Sequence, residues 1–186
     1  MSKRKSLDIN EIVKQKWLVE FNRKPLDKDS LFGFVLACND EFTLVQKFDD
    51  GLFVLDGYCV FRNDEIKRFK VYDEDSFLNE VIKLKKLKPK HIPQVSIESW
   101  ADILQTSTQL FPLLVVERER IDNKICYIGK LEQLKKKSFS LQAIDTDACW
   151  IGSFRYKFKD LTKVSFGGHY ENTLALVVEN REKLKS

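Results

Sequence analysis

Apolar and polar positions alternate in short runs along most of this chain. Trp17-Leu-Val-Glu-Phe-Asn-Arg23 and Leu114-Val-Val-Glu-Arg-Glu-Arg120 both alternate near their ends, as half-buried strands do. The pattern predicts strands over 17–23, 31–38, 41–48, 52–62 and 66–72, and again over 113–120, 124–134, 138–145, 149–157 and 161–166. Asn39-Asp40 and Asp49-Asp50-Gly51 are turn material between them, because short polar side chains bond their own backbone and glycine accepts unusual dihedrals. Short helices are expected at Asp8-Ile-Asn-Glu-Ile-Val-Lys14 and at Ser99-Trp-Ala-Asp-Ile-Leu-Gln105, with Ser99 as the N-cap of the second. Apolar residues at 77, 78, 81, 82 and 84 suit one helix face. The apolar run over 171–179 reads equally as helix or strand.

This order of elements occurs twice. Leu31-Phe-Gly33 aligns with Tyr127-Ile-Gly129, Phe42-Thr-Leu with Phe139-Ser-Leu, Asp56-Gly57 with Ile151-Gly152, and Asp64-Glu-Ile66 with Lys159-Asp-Leu161, at a nearly constant offset of 95–97 residues. Self-similarity at a fixed period marks duplicated units. The expected organisation is a basic disordered tail over 1–7, a first unit over 8–88, a linker over 89–96 containing Pro93, and a second unit over 97–182. Five closely spaced strands are too few for a sandwich and suit a small bent barrel. Gly33 and Gly129 sit inside apolar strands at equivalent repeat positions, where glycine marks a sharp bend or a close backbone approach. Gly57 and Gly152 are the second equivalent pair, also read as structural.

Phe32-Gly33-Phe34-Val35, Phe42-Thr43-Leu44-Val45 and Asp64-Glu65-Ile66-Lys67-Arg68-Phe69, with their partners around Gly129, Phe139 and Leu161, resemble the Sm-like and SH3-like small barrels. The resemblance implies a mainly β fold with short helices, built as two tandem five-stranded barrels. The Sm family further implies RNA binding. Its binding residues cannot be carried over: the hairpins here read Asn39-Asp40-Glu41-Phe42 and Lys135-Lys136-Lys137-Ser138, without the Asn that the family places after the aromatic residue.

Charge changes the picture little. Lys+Arg total 32 against Asp+Glu 28, a formal net charge of +4, below the imbalance of a dedicated nucleic-acid-binding domain. Local clusters matter more. Lys83, Lys85, Lys86, Lys88 and Lys90 form one tract, Lys135, Lys136 and Lys137 occupy a hairpin tip, and Lys3, Arg4 and Lys5 lie in the tail. The first tract serves a helix C-terminus, where cations suit the dipole, and both it and the hairpin tip are candidate phosphate contacts. Phe61-Arg62, Arg68-Phe69 and Phe154-Arg155-Tyr156-Lys157 interleave aromatic and basic residues, the types that stack and neutralise single strands.

Catalytic chemistry finds little support. His91 falls in the linker and His169 in a turn, neither beside a motif nucleophile, and no metalloprotease, nucleophile-elbow or P-loop motif is present. Cys38, Cys59, Cys126 and Cys149 form no CxxC pair. The first, second and third have apolar neighbours and are expected as core filler. No secretory signal and no apolar run of membrane-spanning length is found, which makes the cytoplasm the expected compartment. The expected function is a non-enzymatic binding or scaffold protein with no metal or cofactor. Its partner would be nucleic acid through the lysines, or protein through a barrel edge or the groove between barrels. An enzyme with a site between the units is the third reading.

Overall fold

The structure, a computed structural model, describes residues 9–184; the basic tail expected over 1–7 lies outside them. The elements follow the expected order: α1 (Ile9–Gln15), β1 (Leu18–Asn22), β2 (Leu31–Cys38), β3 (Phe42–Asp49), β4 (Val54–Arg62), β5 (Arg68–Val71), α2 (Phe77–Leu84), α3 (Trp100–Ser107), β6 (Leu114–Arg118), β7 (Asp122–Leu134), β8 (Ser138–Ile144), β9 (Trp150–Lys157), β10 (Lys163–Phe166) and α4 (His169–Lys183). The ambiguous run over 171–179 is helical, as part of α4.

Local chemistry sets these boundaries. Asn39 Oδ1 accepts from the backbone N–H groups of Glu41 (2.9 Å) and Phe42 (2.7 Å) and turns the chain into β3. Asp49 Oδ1 does the same for Gly51 and Leu52 between β3 and β4. Ser99 Oγ accepts from Asp102 N at 3.2 Å, satisfying one of the orphan donors at the start of α3.

The two halves correspond in register. Gly33 stands opposite Lys47, and Gly129 opposite Ala143. Bulges fall at Val35/Ala37 and Leu131/Gln133, and a single 3₁₀ turn follows β4 at Asn63–Glu65 and β9 at Phe158–Asp160.

Two closed barrels were expected, and the structure overturns that: all ten strands form one antiparallel sheet in the order β5-β1-β2-β3-β4-β10-β6-β7-β8-β9. Closure of the first half would require β4 to pair with β5. Instead Tyr58–Phe61 of β4 pair with Phe166–Lys163 of β10. All eight of these residues are buried, so each half satisfies the other's edge, removing the unpaired N–H and C=O groups that make an edge costly.

The core is accordingly shared. Leu36, Phe42, Leu44 and Val60 of the first half pack in one cluster with Leu114, Val116, Leu141 and Val164 of the second. The segment expected as a linker contributes Ile92 and Val95 to that cluster, and the start of the second unit contributes Ile97 and, from α3, Trp100, Ile103 and Leu104. On the opposite face of the first half, α1 sets Ile12 against Val19, Val45 and Cys59.

The core-filler reading of the cysteines holds for Cys59, which is fully buried, and partly for Cys38; Cys126 is exposed and is corrected. Apolar neighbours in sequence do not fix burial: Cys126 stands opposite Glu117 of β6, on a stretch of β7 that no β8 residue pairs with.

Charge is buried where the halves meet. Arg23, 1% exposed, reaches from the end of β1 to Glu65 (2.9 Å) and to both carboxylate oxygens of Glu119 (3.0 and 2.6 Å). Beside it, Lys163 Nζ lies 3.1 Å from Glu117, 3.3 Å from Asp27 and 3.4 Å from Glu119. Burial alone would lower the Lys163 pKa, but the carboxylates of Glu117, Glu119 and Asp27 outweigh it and hold the ammonium well above the ordinary lysine value. A raised folded-state pKa contributes stability that is complete below the unfolded value of 10.5 and is lost as pH rises through the folded one. The stability difference between wild type and Lys163→Met is therefore expected to narrow as urea titrations are moved from neutral pH to above pH 10.5. An unchanged difference would show that the ammonium is not held this way.

Candidate functional site

The basic hairpin of the second half is part of a larger concave surface. Lys135 N donates to Ser138 O at 2.8 Å and closes the β7–β8 turn, which leaves Lys135, Lys136 and Lys137 exposed at its tip. Ser138 stands opposite Lys157 and Ser140 opposite Arg155, so the hairpin places two β9 cations next to the tip. Phe158 N donates to Lys137 O at 3.2 Å, which folds the 3₁₀ turn back and brings Lys159 alongside. Arg62 closes the surface from the first half.

The result is a cradle of about 770 Å³ lined by Arg62, Lys136, Lys137, Ser138, Arg155, Lys157, Phe158 and Lys159. Six of the eight are cations, and none of the eight is acidic.

Arg62 is the only one of these six with a carboxylate partner among the described residues. It pairs with Glu41 and lies over the rings of Phe42 (5.3 Å) and Trp100 (5.7 Å), which fixes its direction. Phe158 stacks on Phe139 at 5.5 Å and forms an apolar wall. Arg62, Lys136 and Phe158 also line an adjoining concavity with Glu41, Ser99 and Trp100, so the surface continues toward the start of α3. The side chains of Lys136, Lys137, Arg155, Lys157 and Lys159 are exposed and like-charged. Such a group gathers anions from solution.

The tract Lys83, Lys85, Lys86, Lys88 and Lys90 does not join this surface. Lys83 closes α2 and lies 4.0 Å from Glu74. Lys85 Nζ donates to the carbonyls of Leu52 (3.3 Å) and Phe53 (2.7 Å), at the β3–β4 turn. Lys86 takes a positive φ of 55° after the helix. Lys90 donates its backbone N–H to Gln46. The β3–β4 turn and the β2–β3 turn lie at opposite ends of β3, which at strand rise separates the tract from the Arg62 end by about 20 Å.

Of the interleaved aromatics, Phe61 and Tyr156 are buried while Phe69 and Phe154 are exposed on the two outer strands. The histidines, far apart in sequence, line one cavity together. Lys136, Lys137, Arg155 and Lys157, singled out by residue type, come together on this surface; Arg62, singled out only beside Phe61, joins them across the halves, where β4 pairs with β10.

No family model, no curated protein and no solved structure matches this chain. No helix among the described residues is long and apolar enough to cross a membrane, and no group of three or more His, Cys, Asp or Glu side chains among them could hold a metal ion.

Proposed function

We propose that this is a non-enzymatic binding protein whose cradle of Arg62, Lys136, Lys137, Arg155, Lys157 and Lys159 holds the phosphate backbone of single-stranded nucleic acid. The observation that supports the reading is the convergence of six cations from both halves on one concave surface, five of them without a carboxylate partner among the described residues. Without an ion pair among the described residues, each of the five is available to displace a condensed counterion from a phosphate. Concavity favours a flexible strand that can bend into the surface, and the Phe158 wall offers an apolar contact for a base.

Fluorescence anisotropy with a labelled single-stranded oligonucleotide tests the proposal. Binding is expected in dilute buffer, with log K falling against log[salt] by about 0.7 per phosphate held, or about 4 if all six cations engage. Lys136→Glu with Lys157→Glu should abolish it, and Lys85→Glu with Lys86→Glu should not. Lys136 and Lys157 are exposed, so the melting temperature of that double variant should hardly move. No binding at low salt, or equal losses from the two pairs of substitutions, would refute the cradle and favour a protein partner instead.

A further inference from the structure

A second cavity, of about 420 Å³, opens where the two halves meet, near the β3–β4 end of the strands. Gly57 and Gly167 line it with φ of +67° and +71°, and a Cβ on Gly57 would come within 2.7 Å of both Gly167 C and Gly168 Cα. The two backbones are in contact at these glycines, and the cavity opens beside that contact.

The floor is aromatic. Tyr58 and Phe111 lie 5.6 Å apart between centroids, and Phe166 packs 5.9 and 5.4 Å from them. Two polar side chains at this floor are more than nine-tenths buried: Gln46, 7% exposed, and Tyr58, 5% exposed. Gln46 Oε1 accepts from Lys90 N at 2.6 Å, which leaves its amide N–H groups without a partner among the described residues. The Tyr58 hydroxyl also has none there. Neither atom is fully sealed from solvent, and both residues line the cavity. Burial raises the Tyr58 pKa and keeps the hydroxyl a donor.

The rim carries Lys90, His91 and His169, the last two being the chain's only histidines. No carboxylate lines this cavity. Asp56, beside it, is already engaged by His169 Nδ1 (2.9 Å), His169 N (2.7 Å) and Lys47 (3.8 Å).

We propose that this seam cavity is a binding site for a small organic anion with a planar aromatic body. The ring lies over Tyr58 and Phe111. The anionic group sits between the Tyr58 hydroxyl, the Gln46 amide and the Lys90 ammonium. The volume falls within the range of small-ligand pockets. A buried donor that has given up water gains most from an acceptor brought in by a ligand.

Phenyl phosphate is the probe, with inorganic phosphate and phenol as comparisons, followed through the side-chain NMR signals of His91 and His169. With only two histidines in the chain, these signals report the cavity directly. Phenyl phosphate is expected to shift both signals saturably and to bind about tenfold more tightly than inorganic phosphate, the difference being the ring taken out of water. Phenol should bind more weakly than phenyl phosphate, for want of the anionic group. Tyr58→Phe, which keeps the ring, should weaken phenyl phosphate about fivefold. Lys90→Gln, at an exposed position, should weaken it as well and does not depend on the core variant folding. Lys136→Glu with Lys157→Glu should change nothing here, which separates this site from the cradle. Shifts that stay linear with concentration, equal affinity for phosphate and phenyl phosphate, or an unaltered affinity in both Tyr58→Phe and Lys90→Gln would overturn the proposal.

Discussion

Replacing Arg23 with Met is expected to cost about 3 kcal/mol of stability at neutral pH, the low end of the cost of breaking a buried ion pair, because a second cation remains near each carboxylate. Arg23 is the cation shared by Glu65 and Glu119, and it also lies over the Phe61 ring at 5.3 Å. Met restores much of the apolar volume, so the loss comes not from a void but from the carboxylates, each left with one remaining cation: Arg120 at 2.9 Å for Glu65 and Lys163 at 3.4 Å for Glu119. Burial already raises the Glu65 pKa, whereas at Glu119 burial is outweighed by Arg23 and Lys163 and the pKa falls. Without Arg23 both carboxylates are pushed up. A raised acid contributes stability that is complete below the unfolded value of 4.5 and lost as pH rises through the folded one. The deficit of Arg23→Met should therefore shrink as urea titrations are moved from pH 7 toward pH 4.5. A deficit below about 1 kcal/mol, typical of an exposed pair, or one that does not change with pH, would mean that the network is not closed to solvent.

The second large effect is expected at Gly33 and Gly129. Neither has a positive φ; the constraint is space. A Cβ on Gly33 would run into the carbonyl of Gln46 and a methyl of Val45, and one on Gly129 into the carbonyl of Gln142, with Ala143 Cα at 3.1 Å. The obstacles are mainly backbone of the neighbouring strand, which cannot rotate away. Gly33→Ala and Gly129→Ala should each destabilise by about 1–3 kcal/mol through overpacking. Being far apart, they should add in the double variant. Gly51→Ala is the control, since its Cβ would meet only Asp49 Oδ1 at 3.4 Å. If Gly33→Ala and Gly129→Ala melt with the control, the close approach of β2 to β3 and of β7 to β8 is not a constraint.

These glycines show what the sequence makes legible. Period-2 alternation located all ten strands, and an apolar strand interrupted by glycine at two equivalent positions marked the crowded crossings. Alternation says which face a residue takes, not which strand lies beside it. Edge pairing is decided by three-dimensional fit, so the open ten-stranded order was hidden behind the expectation of two closed barrels. The segment before α3 looked like a linker because of Pro89 and Pro93, although Ile92, Val95 and Ile97 carried the signal of a buried strap. Among the lysines, the five over 83–90 are the more conspicuous cluster in sequence, and Lys85 there serves backbone carbonyls. The Lys136–Lys137 pair gains its company from residues that alternation had placed only on separate strands. The pairing of His91 with His169 in one cavity left no local trace at all.

The place of β10 has a consequence for how such a chain is made. It is the tenth strand in order of synthesis, yet it lies in the middle of the sheet, between β4 and β6. Until it leaves the ribosome, the Tyr58–Phe61 edge of β4 has no partner, and the apolar cluster common to both halves lacks Val164 and Phe166. The ladders within the first half can form before β10 appears, but the one strand pairing that joins the two halves arrives last. Such a nascent chain carries an open, sticky edge throughout elongation, and holding that edge apart from other chains falls to whatever accompanies it until the keystone strand is inserted.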